Sequence, residues 1–377
     1  MTARQPQTPL LITRPAALRQ LVDRIAGEPI LAVDTESNSL FAYQEQVCLI
    51  QFSTPEEDFL VDPLALDDLS PLGALFADQK IEKVFHAAEY DLITLKRDFG
   101  FSFANLFDTM LAARILGWEE VGLGSILKAE FNVQLDKRHQ RANWGQRPLP
   151  AEMLDYARQD THYLIPLRYR LKSELKAKNR WPLALEDFNR LRYVNGRDPE
   201  ETPEACWRVS GVNELSPQQT AVLQELCRYR EHVAKSINRP LFKVISDRTL
   251  LAIAAACPGD LRALERCAYL NPKQLQRHAE GLLRAVQRGL RADPLYPPRQ
   301  PRPDERYLAR LDTLRGWRKK TAQRIGVNSD VVLPRDLLYA LAAHDSVSRE
   351  ELNAILVQVP WRLQQYGDEI LNLLWQG

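Results

Sequence analysis

The chain has 377 residues, 45% apolar and 26% charged, with 50 basic against 49 acidic side chains. Such a length predicts two or three domains rather than one. The balanced charge excludes a uniformly basic or acidic protein but leaves room for a local basic face.

No apolar run approaches the length of a membrane span, and "PLLI" is too short for the apolar core of a signal peptide. The five cysteines, Cys48, Cys206, Cys227, Cys257 and Cys267, contain no CxxC pair. They read as reduced and packed, without a structural zinc, as expected of a cytoplasmic protein that makes no membrane contact.

In chain order, Leu18, Leu21, Val22 and Ile25 have helical spacing. The runs "ILAVD", "VCLIQF", "DFLVD" and "KVFH" are short, apolar and β-rich, which predicts strands. A hairpin-length gap between the first two makes part of the sheet antiparallel. Leu92, Ile93 and Leu95 predict a helix after Asp91. Another is predicted in "FDTMLAARILG", with Asp108 as its cap and Gly117 at its end. A long helix is expected from about Pro150 to Asn179. This alternation predicts a sheet flanked by helices.

Within these elements certain acids sit where packing alone would not place them. Asp34 and Glu36 end the first strand one residue apart, on the same face, where they repel each other unless a positive species lies between them. Asp91 stands at the start of a helix, and Asp160 follows Tyr156 by four residues, so phenol and carboxylate share a helical face. Taken singly, a strand-end aspartate also suits a turn or cap, and Asp91 also suits the first turn of its helix.

From about residue 200 the strand signals stop. "NGRDPEETPEA" reads as a linker, and the remainder of the chain is helical twice over. Shifting the chain by 88 residues sets Leu223 on Leu311, Leu226 on Leu314, Arg230 on Arg318, Val244 on Val332 and Leu250 on Leu338. This constant offset predicts a tandem duplication, with prolines 294, 297, 298, 301 and 303 as a stiff spacer. The expected domains are residues 1–200, 213–292 and 304–377.

"AVDTE", "FHAAEYDL" and "YARQDTHYL", in this order, resemble the three motifs of the DEDD superfamily of 3′–5′ exonucleases, tyrosine-bearing branch. "VCLIQFS", "LVDPL" and "FDTMLAARILG" resemble the ribonuclease D family in particular, and the repeats resemble two HRDC domains. Ser37 departs from the pattern, since many ribonucleases D carry an aromatic residue there. The resemblance implies an α/β ribonuclease H-like exonuclease domain, a mixed sheet flanked by helices, followed by two all-α HRDC bundles. It implies a 3′–5′ exoribonuclease that matures tRNA precursor 3′ ends and releases nucleoside 5′-monophosphates.

It further implies catalytic residues Asp34, Glu36, Asp91, Tyr156 and Asp160. The four acids would hold two divalent ions, Mg²⁺ or Mn²⁺, with Asp34 bridging, and Tyr156 would orient the attacking water. The partner would be RNA with a single-stranded 3′ end, and the protein a monomer. A DNA exonuclease with the same site and a non-catalytic RNA-binding scaffold are the rival readings.

For the substrate, "LKAEFNVQLDKRHQRANWGQRPL" sets Lys128, Lys137, Arg138, Arg141 and Arg147 around Trp144. That mix suits a single-strand groove as well as a solvated loop. His86 follows a strand near Asp91 and reads equally as a substrate contact or a satisfied buried histidine. Gln51 and Cys48 read as packing.

Overall fold

A computed structural model describes residues 8–196, 205–267, 269–298, 304–344 and 347–375. Most of the expected linker, with Pro301 and Pro303 of the spacer, lies outside them. They fold as two compact units.

The first unit comprises described residues 8–37, 47–196 and 304–375. It contains strands β1 (Leu10–Ile12), β2 (Ile30–Ser37), β3 (Val47–Ser53), β4 (Asp58–Val61), β5 (Glu82–Phe85) and β6 (Leu106–Asp108). They form one sheet in the order β1-β4-β3-β2-β5-β6. β3 is antiparallel to β2 and β4, and the other pairings are parallel. The mixed sheet follows the expectation. β1 and β6 are additions, each three residues long, too short for alternation to register in the sequence.

Along β2, Leu31 and Val33 enter one core while Ile30 and Ala32 enter the other, so both faces of the sheet are covered. Helices α1 (Pro15–Ile25), α2 (Ser70–Ala77) and α3 (Glu89–Phe99) supply the first core. The second comes from α4 (Thr109–Leu116) and α5 (Leu123–Phe131), and, beyond α6 (Ala151–His162), from α7 (Leu164–Ala177) and α8 (Trp181–Leu191). α6 packs on β2, β3 and β4.

The single helix expected from 150 to 179 is therefore two. Pro166 has no N–H for the carbonyl of residue 162, and its ring would crowd that turn. The chain breaks at Tyr163 (φ −98°, ψ −4°) and restarts with the proline in the first turn of α7. The break frees α6 to lie on the strands that carry the acids.

The second unit holds residues 38–46 and 205–298. Its helices are α9 (Pro217–Ser236), α10 (Leu241–Val244), α11 (Asp247–Ala256), α12 (Leu261–Cys267) and α13 (Pro272–Arg291). Leu223, Leu226, Leu250, Ile253, Leu264 and Leu282 form its core. Residues 38–46 are held to it: Tyr43 N–H donates to Asn238 Oδ1 at 3.0 Å, and the Lys243 ammonium lies 3.8 Å from the centre of the Phe41 ring.

The second copy lies in the first unit: α14 (Glu305–Ile325), α15 (Ser329–Val332), α16 (Arg335–Ala342), α17 (Arg349–Ile355) and α18 (Pro360–Trp375). Each helix starts 88 residues after its counterpart in the first copy. Unlike a free-standing module, this copy is built into the sheet's body. Val331 joins the core beside α8, and Arg362, 0% exposed, reaches Glu186 Oε2 at 3.0 Å and Asp187 Oδ2 at 2.9 Å.

Candidate active site

The carboxyl end of β2 is the centre of the site. The alternation that buries Ile30 and Ala32 continues into Asp34 and Glu36, so both acids emerge on the face that α6 covers. A register shift between Glu36 and Ser37 ends the regular pairing with β3, and such a bulge re-aims the chain.

Asp91 arrives from α3, whose start is fixed by Asp108. Asp108 Oδ1 caps α4, accepting from Met110 and Leu111 N–H at 2.8 and 3.0 Å. The same carboxylate accepts from Ala87 and Ala88 N–H at 3.2 and 2.7 Å. It thereby holds the β5–α3 turn, in which Ala87 adopts φ +61°, a strained value for a residue with a Cβ. The sequence identified Asp108 as a cap only; its second task needs β5 and β6 side by side. Thr35, on the opposite face of β2 from Asp34, donates its hydroxyl to Asp91 Oδ1.

α6 brings Tyr156 and Asp160. The Tyr156 ring is packed against Trp144 (centroids 6.0 Å apart) and His139 (5.8 Å). Asp91 is 6% exposed, whereas Asp34, Glu36, Asp160 and Tyr156 are half-buried, so the acids open to solvent on one side.

Burial and mutual repulsion shape the electrostatics. Asp34 is held well above the usual carboxylate range by burial, then by the charges of Asp91, Asp160 and Glu36. Glu36 is raised by burial and by Asp160 and Asp91. Burial pushes Asp160 up to about 7, helped by Asp91. Burial also takes Asp91 to about 7, with the Thr35 hydrogen bond opposing and Asp108 assisting. Tyr156 is pushed upward by burial and the neighbouring acids, so it stays a phenol. Among the described residues, no three His, Cys, Asp or Glu side chains already stand as a ligand set for a metal; the acids feel one another without closing on one point, as like charges do.

These shifts give a signed expectation. A carboxyl raised in the folded state binds more protons there than in the unfolded chain. Its stabilisation is complete below the unfolded value of about 4 and is lost as pH rises through the folded value. With chelator present, the melting temperature should fall as pH rises from about 5 to about 8, the window set by Asp91 and Asp160. A flat or rising profile in a thermal-shift series would contradict this charge balance.

The substrate candidates separate. Lys137, Arg138 and Arg141 are exposed. Lys137 and Arg138 line a cleft of about 780 Å³ together with Lys128, Ser125 and Gln134. Trp144 is corrected: at 1% exposure it packs with Leu49, Leu60 and Met153 beneath Tyr156 and offers no face to a base. Arg147 is exposed, but its guanidinium is already engaged. It pairs with Asp62 at 2.6 Å and donates to the carbonyls of Trp144 and Cys48 at 2.7 and 2.8 Å.

His86 is held by Thr109, whose hydroxyl donates to the Phe85 carbonyl at 3.0 Å and so accepts from His86 Nδ1 at 2.9 Å. That tautomer leaves Nε2 as an acceptor, and burial lowers the ring's basicity. Gln51, assigned to packing from sequence, lies in β3 opposite Asp34.

Comparison with known proteins fits this geometry. The profile of a 3′–5′ exonuclease family matches residues 9–176, and that of the HRDC domain matches 219–286 and 308–374. A ribonuclease D from Nitrobacter hamburgensis is 30% identical over 96% of this chain and 94% of its own. The crystal structure of Escherichia coli RNase D matches with a TM-score of 0.70 at 25% identity, covering 98% of this chain and 99% of that one. The catalytic core of RRP6 from Trypanosoma brucei matches at 0.65 and 29% identity, covering 77% and 84%. No described helix is long and apolar enough to cross a membrane. With 30% identity to a ribonuclease D over nearly its full length and a nuclease sheet followed by two HRDC modules, the chain belongs to the ribonuclease D family of 3′–5′ exoribonucleases.

Proposed function

We propose that the protein removes nucleotides singly from RNA 3′ ends, maturing tRNA precursors in the cytoplasm, with Asp34, Glu36, Asp91 and Asp160 holding two divalent ions, Mg²⁺ or Mn²⁺. The observation that carries this reading is electrostatic: at a half-open site, acids from β2, α3 and α6 meet, and burial first and then their mutual repulsion raises the proton affinity of Asp34, Glu36 and Asp160. Carboxylate oxygens are the hard donors these cations prefer, so the residues present fit them. When bound, the ions would supply an activated water and neutralise the attacking and leaving oxygens.

The chain's own residues do the rest. Thr35 restrains the Asp91 carboxylate. Tyr156 keeps its proton and therefore works by position, its hydroxyl holding the attacking water in line with the phosphorus. Lys128, Lys137 and Arg138 take backbone phosphates along the cleft beside it. Arg315, Lys319, Lys320 and Arg324 of α14 face solvent and extend the grip on a folded RNA. The Escherichia coli relative is described as an exoribonuclease involved in structured RNA processing, which supports a tRNA-like substrate. The domains are taken as 1–200, 213–292 and 304–377.

Incubation with 3′-extended tRNA should release nucleoside 5′-monophosphates with Mg²⁺ or Mn²⁺ and none with chelator; metal-independent release or internal cleavage would overturn the proposal. Tyr156→Phe should lower kcat by about ten- to a hundredfold while RNA affinity changes little, as expected for a lost orienting hydrogen bond. An unchanged kcat in single-turnover assays would remove that role.

A further inference from the structure

Gln51 is buried in a way that packing does not explain. It is 0% exposed, and neither Nε2 nor Oε1 has a hydrogen-bond partner. In β3 it lies directly opposite Asp34 of β2. Opposed residues of antiparallel strands project from the same face, with Cβ atoms about 5 Å apart. That face is the one under α6: two residues on, the hydroxyls of Ser53 and Thr161 are hydrogen-bonded at 2.7 Å, and Thr161 is next to Asp160 in the chain. The polar groups nearby are committed to one another, since Ser53 gives its one hydroxyl hydrogen to Asp58 at 2.7 Å and His162 meets Asp58 at 2.9 Å.

A buried amide without partners is costly, so a leucine would serve this position better if packing were its only task. The amide also needs both a donor and an acceptor. Ionised carboxylates can accept from its NH₂, but they offer nothing to Oε1. Water bound to a divalent cation is a polarised donor, and Mg²⁺ keeps several such waters.

We propose that Gln51 is a positioning residue of the catalytic centre, with Oε1 accepting from a cation-bound water and Nε2 donating to a liganding carboxylate. The inference rests on reading the acids as a metal site. Partners of liganding groups typically change metal affinity by about ten- to a hundredfold when removed.

The test uses the full chain without RNA, as wild type, Gln51→Leu and Gln51→Met. Mn²⁺ is titrated by calorimetry, and melting is followed with chelator. Both variants should bind Mn²⁺ about tenfold more weakly yet melt about 2 °C or more higher without metal, because the orphaned amide is gone. Wild-type Mn²⁺ affinity in both variants would overturn the proposal. So would a lower melting temperature or loss of the fold in both, since each shows the amide to be satisfied by the protein. If the wild type itself takes up no Mn²⁺, the metal reading of the acids fails first, and the role of Gln51 fails with it.

Discussion

Asp34→Asn, and separately Asp160→Asn, should abolish mononucleotide release while leaving the protein folded and, with chelator, more heat-stable than the wild type. The two effects have one cause. Asp34 is partly desolvated and repelled by Asp91, Asp160 and Glu36, and Asp160 is partly desolvated and repelled by Asp91. An isosteric amide removes a charge that costs stability in the metal-free protein. Catalysis loses the same charge where it would hold a cation, worth several kcal/mol at the transition state, or on the order of 10³ in rate. Product release and thermal shift on the same preparations measure both signs. A variant that keeps activity within about tenfold of wild type, an effect equivalent to only about 1.4 kcal/mol, would remove its residue from the site. One that melts lower would refute the repulsion.

The second large effect concerns the body behind the site. Arg362→Ala should destabilise the protein by about 3–5 kcal/mol, as removing one member of a buried ion cluster does. Arg362 is 0% exposed and satisfies Glu186 and Asp187, and it also donates to the carbonyls of Val331 and Val332 at 2.8 and 3.2 Å. Burial already raises Glu186, with Arg362 and the backbone N–H of Trp361 and Arg362 opposing that shift. Without the guanidinium, Glu186 rises further, so the loss should be larger at pH 8 than at pH 5.

The double variant Arg362→Leu with Glu186→Leu should be less damaged than the single change, because the carboxylate is no longer stranded. Denaturant unfolding of the three proteins decides it. A single-variant cost below about 1 kcal/mol would show that the second repeat is only loosely held.

How far the site could be read in advance depends on its parts. Asp34 and Glu36 stood out because an apolar strand that ends in same-face carboxylates contradicts its own pattern. Tyr156 and Asp160 stood out through helical spacing, and the repeat through a constant offset that the five helix starts reproduce. Trp144 misled because its basic neighbours suggested an exposed loop, whereas the ring is 1% exposed under Tyr156. Arg147 misled for another reason: it is exposed, but its guanidinium is engaged by Asp62 and the Cys48 carbonyl, which lie far away in the chain. Gln51 was silent because nothing in a strand pattern tells an amide with partners from one without.

The chain alone determined what depends on neighbours within a turn or a strand: the periodicities, the cap at Asp108, the carboxylate pair of β2 and the duplicated helices. Only the folded molecule decided which side chains lose water and which find partners afterwards. Trp144 went inward, Arg362 was locked into a buried ion cluster and Gln51 was left unbonded opposite Asp34. Desolvation is set by whatever arrives from elsewhere in the sequence, and no local pattern carries that information.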